Sequence, residues 1–380
     1  MKIKKGMRAF CLLMVMALLV AVFVPAVSAE TQFDKEINFD SYVIPDLKID
    51  SSLEEIAISG KLSPQLEIGK TKDNTYGIPF GSIIEYGIDG ITRIYDSEGT
   101  HLLSISDKKS EKIATPAGVD KPCTKVCQLP NDSMAYYYEN MIFIYNLEGE
   151  LILLIIDNNK DSNRNLKSDS KWIGNDWIES AEDNDADYIT ENIAYWSVPT
   201  EPPSHLASNE KIYLFNSIIG FSGSDKYILQ PVLIYEGSAD EWQGQAWAYN
   251  PDGPDITGSV FTTDEDHTMK GRIYWSNSLN TWSITLYDQT TGQYSSVSTS
   301  CIVPQANSRV ACALEGYNID DNTDVPGDTL FYDMSYKSYG SPMSVYLEPW
   351  YSSFIPSIIM QYCQVNIVSN PARVSLNTYN

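Results

Sequence analysis

Short runs rich in Tyr, Trp, Ile and Val follow one another through the last half of the chain. Lys211 to Phe215, Tyr227 to Tyr235, Gly271 to Ser276 and Thr281 to Tyr287 are the clearest, with turn residues between them. In the last of these Trp282, Ile284 and Leu286 alternate with Ser283, Thr285 and Tyr287, and Thr290-Thr291-Gly292 follows. That is the pattern of a strand entering a hairpin turn. No apolar repeat of 3.6 residues is sustained, so residues 190–380 are expected to be an antiparallel sandwich or barrel rather than a helical or dinucleotide-binding domain.

The first half carries a degenerate repeat. Gly90-Ile91-Thr92-Arg93-Ile94-Tyr95-Asp96-Ser97-Glu98-Gly99 matches Asn140-Met141-Ile142-Phe143-Ile144-Tyr145-Asn146-Leu147-Glu148-Gly149, and each copy continues into an apolar run, Leu102 to Ser106 and Leu151 to Ile156. Strand, Glu-Gly turn and strand predict two β-hairpins and a small β-rich domain over residues 30–156. Its place before the larger domain suggests a propeptide or inhibitory cover, with a permanent accessory domain as the alternative. From Asp157 the chain turns to Asp, Asn, Ser and Lys, and residues 157–189 are expected to be a polar linker. Asp157, Asn159 and Asp161 imitate the start of a calcium loop, but Ser162 and Ser168 stand where Gly and Glu are needed. Asn318, Asp320, Asn322 and Asp324 form a second alternation, readable as a cation site or as a polar loop.

Residues 1–29 read as a cleaved secretory signal: Lys2, Lys4, Lys5 and Arg8 precede an apolar run from Ala9 to Val24, then Val27-Ser28-Ala29. The run is short for a membrane span, which needs about 20 apolar residues, although a retained anchor is the alternative. The mature chain is expected to be secreted and monomeric, with no stable membrane span. Four of the 26 basic residues leave with the signal, so 22 face 50 acidic ones, a net charge of −28. Such a surface repels a phosphate backbone and argues against nucleic acid as a partner. Of the remaining cysteines, Cys123 with Cys127 and Cys301 with Cys312 are candidate disulfides in an oxidising compartment, and Cys363 is left over. The alternative is free apolar thiols. Asn131-Asp132-Ser133 is a glycosylation acceptor sequence.

Familiar catalytic signatures are missing from the sequence. There is no Gly-x-Ser-x-Gly, no His-Glu-x-x-His, no phosphate loop and no dinucleotide fingerprint, and His101, His205 and His267 are scattered. What remains is carboxyl chemistry. Gln230 and Glu315 are polar residues set in otherwise apolar runs, Tyr227 to Leu233 and Ala311 to Tyr317. A carboxyl group can take a proton from water and return it, and an amide beside it can stabilise an oxyanion. On pattern alone the favoured reading is that the two are ordinary solvent-facing strand residues.

Several segments resemble the glutamic peptidases called eqolisins. Tyr195-Trp196-Ser197-Val198-Pro199 is similar to the family's entry strand, and Lys211-Ile212-Tyr213-Leu214-Phe215-Asn216 to the strand before the first catalytic one. Ile228-Leu229-Gln230 matches the catalytic glutamine, Ala246-Trp247-Ala248-Tyr249-Asn250-Pro251 the aromatic stretch of the cleft, and Leu314-Glu315-Gly316-Tyr317 falls where the family has its glutamate. The resemblance covers roughly 190 of 380 residues. It implies a concanavalin-A-like antiparallel β-sandwich and an acid-active endopeptidase acting on unfolded or extended polypeptide without metal or organic cofactor. Glu315 would be general base and then acid, and Gln230 the oxyanion donor. Trp247 and Tyr249 would bind substrate or, equally, pack the sheet. A Pro directly after Gln230 departs from the family pattern. A competing reading is a non-catalytic secreted carbohydrate-binding or cell-envelope sandwich, using exposed Trp242, Trp247, Trp275 and Trp282.

Overall fold

A computed structural model describes residues 39, 42–71, 74–158, 177–183, 188–223, 225–301, 307–319, 322–338, 341–345, 347–350, 364–369 and 372–378. The expected signal peptide, Cys363, Asn159, Asp161 and Asp320 lie outside them. The fold is all-β: the described residues form strands and short 3-10 turns, with no α-helix.

Two large sheets carry the architecture. One runs, in hydrogen-bonding order, Glu348–Trp350, Trp177–Asp183, Arg309–Tyr317, Lys211–Ser222, Asp225–Glu236, Glu241–Tyr249 and Asp255–Thr257, then Val126–Gln128, Lys61–Gln65, Thr75–Pro79 and Gly69–Lys70. The other joins strands from His101–Ser106 through Ser133–Tyr138 to Tyr294–Thr299 and on to Gln364–Ser369. Trp196, Trp242, Trp282, Phe215 and Phe331 are all buried in the common core.

Local chemistry explains the repeat. Both copies form antiparallel hairpins, Ile91–Tyr95 with His101–Ser106 and Met141–Tyr145 with Leu151–Asp157, and each has a register shift at its Ile-Tyr pair. Asp96 and Asn146 open the turns by accepting backbone N–H groups of Thr100 and Glu150, at 2.8 Å each. Gly99 and Gly149 close them at φ 86° and 77°, a region that favours glycine.

The segments on either side of residue 157 share both sheets. Val126–Gln128 pairs in parallel with Asp255–Thr257, and Ser133–Tyr138 with Tyr294–Thr299. Phe39 to Asn380 is one compact unit. Within the stretch expected as a polar linker, Trp177–Asp183 is a strand between Arg309–Tyr317 and Glu348–Trp350.

The expected disulfides are not formed: Cys123, Cys127, Cys301 and Cys312 are all free. Cys123 hydrogen-bonds the Ile58 carbonyl and Cys127 contacts the Tyr86 hydroxyl, in the apolar core. Cys312 lies within Arg309–Tyr317 in one sheet, whereas Cys301 follows a strand of the other. Burial pushes the Cys127 and Cys301 thiols up to about 12, so they behave as small apolar groups. The glycosylation acceptor is also tied down, since Asn131 donates to the Tyr294 carbonyl at 2.9 Å and accepts from the Ser259 and Ser296 N–H groups.

Two measurements follow from this packing. Glu179 is fully buried, and desolvation pushes its carboxyl up to about 9 from 4.5. The folded protein therefore holds a proton that the unfolded chain has lost, so this group lowers stability as pH rises from about 4.5 to about 9. Glu179→Gln should flatten that slope in urea denaturation at pH 5 and pH 8. Gly271 faces the opposite sheet, where a Cβ would meet Asn216 Oδ1 at 1.9 Å and Pro231 Cγ at 2.8 Å. Gly271→Ala should cost about 1–3 kcal/mol of overpacking, read as a fall in the urea midpoint.

Candidate functional site

The floor of the site is the outer face of the four strands Arg309–Tyr317, Lys211–Ser222, Asp225–Glu236 and Glu241–Tyr249. Directly paired residues of antiparallel strands point to the same face. Gln230 pairs with Trp247. It lies between the pairs Phe215↔Val232 and Ile218↔Leu229, which puts it level with Ser217. Ser217 in turn pairs with Ala311. Trp247, Gln230, Ser217 and Ala311 therefore form one row across the sheet.

Glu315 shares that face but not that row. It pairs with Tyr213, which pairs with Ile234. Two strand spacings of about 4.8 Å and four residues of about 3.4 Å set the Cα atoms of Gln230 and Glu315 about 17 Å apart. Side chains standing off a sheet cannot span that gap to one water molecule. Gln230 and Glu315 are thus on a common floor without forming a dyad, and Ala311 occupies the level at which a carboxyl group would face Gln230.

The floor is dry because the chain covers it. Lys112–Thr115 and Val119–Pro122 form a two-stranded hairpin with Pro116-Ala117-Gly118 at its tip. Gly118, at φ 71°, and bonds from Gly118 N–H to Thr115 O and from Thr115 Oγ1 to Val119 O shape the turn. Gln230 Nε2 donates to the Pro116 carbonyl at 2.8 Å, and Tyr213 Oη to the Ala114 carbonyl at 2.8 Å. Tyr317 Oη donates to Asp120 Oδ1, also at 2.8 Å. Ala117 is buried among Ile219, Ile228, Tyr249 and Ala311.

Gln230 is fully buried, and its Oε1 has no hydrogen-bond partner among the described residues, as is also true of Ser217 Oγ. Burying a polar atom unpaired costs about 1–3 kcal/mol. The tip explains the gap: Pro116 offers a carbonyl to Gln230 but has no N–H to return.

The expected substrate-binding aromatics are on this face. Trp247 and Tyr249 are buried beneath lysines from the first half of the chain, Lys61 Nζ at 4.5 Å over the Trp247 ring and Lys121 Nζ at 4.5 Å over Tyr249. Lys61 also donates to Gln245 Oε1 at 2.6 Å, and burial pulls its amine down to about 7. Of the tryptophans of the carbohydrate reading, Trp242, Trp247 and Trp282 are buried, and Trp275 is half-buried and packs edge-on against Trp282. No cluster of His, Cys, Asp and Glu able to hold a metal ion occurs among the described residues. Nor is any described helix long and apolar enough to cross a membrane.

Sequence reasoning missed the covering residues. Thr115-Pro116-Ala117-Gly118-Val119 is a legible turn, but nothing local says that Ala117 docks against Ile219, 102 positions on, and Ala311, 194 on. Tyr213→Phe should remove one bond to the hairpin at a cost of about 0.5–1.5 kcal/mol and speed hydrogen exchange of hairpin amides more than of floor amides.

No family model matches this sequence, and no curated protein matches it by sequence. Among solved structures, scytalido-glutamic peptidase with a transition state analog inhibitor aligns with a TM-score of 0.39 at 16% identity, covering 54% of this chain and 98% of that one. SCP-B, a member of the eqolisin family of peptidases in complex with the tripeptide Ala-Ile-His, aligns with a TM-score of 0.36 at 15% identity over 54% and 98%. A CBM2 module of the Lactobacillus casei BL23 phage J-1 evolved Dit gives 0.25 at 12% identity, over 49% and 75%. Likeness at this level assigns no function, and the geometry of the floor has to carry the reading.

Proposed function

We propose that this chain is an exported polypeptide-binding β-sandwich, built on the plan of a glutamic peptidase, whose binding face is closed by its own hairpin. The observation that carries the reading is the bond from buried Gln230 to the Pro116 carbonyl. The floor recognises main chain: Gln230 and Tyr213 both donate to peptide carbonyls, as a face that holds extended polypeptide must. In this covered form the row through Gln230 runs on through Ser217 and Ala311 and reaches a carboxyl group only at Glu182, three strands away, which favours binding without hydrolysis.

Acid-dependent cleavage by Gln230 and Glu315 is the second reading. Two observations favour it: Gln230 already holds a peptide carbonyl, the task of an oxyanion donor, and Glu315 lies on the same face. It requires the strand Arg309–Tyr317 to shift by about four residues relative to Asp225–Glu236, or another carboxyl group to come within reach of Gln230. Removal of residues 30–156 as a propeptide would belong to that reading.

Ala117→Asp drives a charge into the nest of Ile219, Ile228, Tyr249 and Ala311 and should lift the hairpin. The altered chain is expected to bind reduced, carboxymethylated lactalbumin where the parent does not, and adding Gln230→Leu should weaken that binding by about tenfold. No gain of binding in Ala117→Asp would sink the proposal. Cleavage of the lactalbumin between pH 2 and 5, lost in Glu315→Gln, would replace it with the peptidase reading.

A further inference from the structure

The hairpin is anchored at its far end by one side chain in a purpose-shaped pocket. Lys121 Nζ donates to the Asn250 carbonyl at 2.5 Å, the Gly253 carbonyl at 3.0 Å and Asp255 Oδ1 at 2.7 Å, and lies over the Tyr249 ring. An ammonium has three N–H bonds, and here each has an acceptor. The acceptors are arranged by their own loop: Asp255 Oδ1 also receives the Asn250 N–H at 2.9 Å, and Asn250 Oδ1 receives the Asp252 N–H at 3.1 Å. Asp255 is fully buried, and without a cation it would be an uncompensated charge in the interior.

We infer that the loop from Tyr249 to Asp255 is an ammonium-binding subsite of the floor, filled in the covered chain by Lys121. It selects incoming polypeptides that turn as the covering hairpin does and carry lysine five residues after the one whose carbonyl Gln230 holds. The inference rests on the polypeptide-binding reading and adds a side-chain preference to it. Three acceptors converging on one nitrogen suit a compact ammonium, whereas a planar guanidinium spreads its donors over three nitrogens.

The subsite is tested in the full chain with Lys121→Ala, which leaves room for a small amine. Hydrogen exchange of the hairpin amides should rise by about tenfold, and n-butylammonium should restore both protection and melting temperature where n-butanol of the same length does not. Equal effects of the two additives, or no effect of either, would overturn the subsite. Should Lys121→Ala fail to fold, Ala117→Asp is titrated instead with a synthetic peptide of residues 112–124 and with its counterpart carrying norleucine at position 121. Equal affinity would exclude the lysine preference and leave the polypeptide-binding face intact. Binding of neither peptide would remove the face itself.

Discussion

A glutamine buried in the middle of a sheet face has to be hydrogen-bonded, and the Gln230 amide N–H meets that demand with a carbonyl 114 residues earlier in the chain. The rest of the arrangement depends on this. For Pro116 to reach the floor, the hairpin must be held by strands that belong to the same body as the floor. The parallel pairs at Val126–Gln128 and Ser133–Tyr138 supply that hold. Tyr213, Tyr317 and Lys121 then fix the hairpin along its length, so the polar contacts lie at its edges and its tip while the small side chain of Ala117 fills the apolar centre.

The period-two pattern made the all-β class and the paired hairpins legible, because alternation and turn chemistry are local. The site was legible only in part, for a reason that concerns register. Alternation along Ala311-Cys312-Ala313-Leu314-Glu315 shows that 311, 313 and 315 share a face; it cannot show which of them stands level with Gln230. That depends on how Arg309–Tyr317 pairs with Lys211–Ser222, and the pairing chooses Ala311. The disulfide expectation went wrong similarly: closeness in sequence says nothing about which sheet a cysteine enters, and Cys301 and Cys312 are divided between the two. Trp177–Asp183 was hidden because its acidic residues read as linker, although Glu179 is buried.

Charge takes on a local meaning in this fold. The chain is strongly acidic overall, yet the covered face gathers lysines: Lys61 over Trp247, Lys121 at Asp255 and Lys211 on Glu236. Asp255 is thus paired with a lysine of the covering hairpin, and Glu236 with one of the floor itself.

The two parallel seams have a consequence for the life of the chain after synthesis. A single cut between residues 158 and 177 would leave the halves joined through both sheets, a nicked but intact body. A chain that began at residue 190 would instead present Asp255–Thr257 and Tyr294–Thr299 as bare strand edges, each offering unpaired N–H and C=O groups to any neighbour. Proteolysis at the polar segment is therefore tolerable, whereas loss of the first half invites self-association edge to edge.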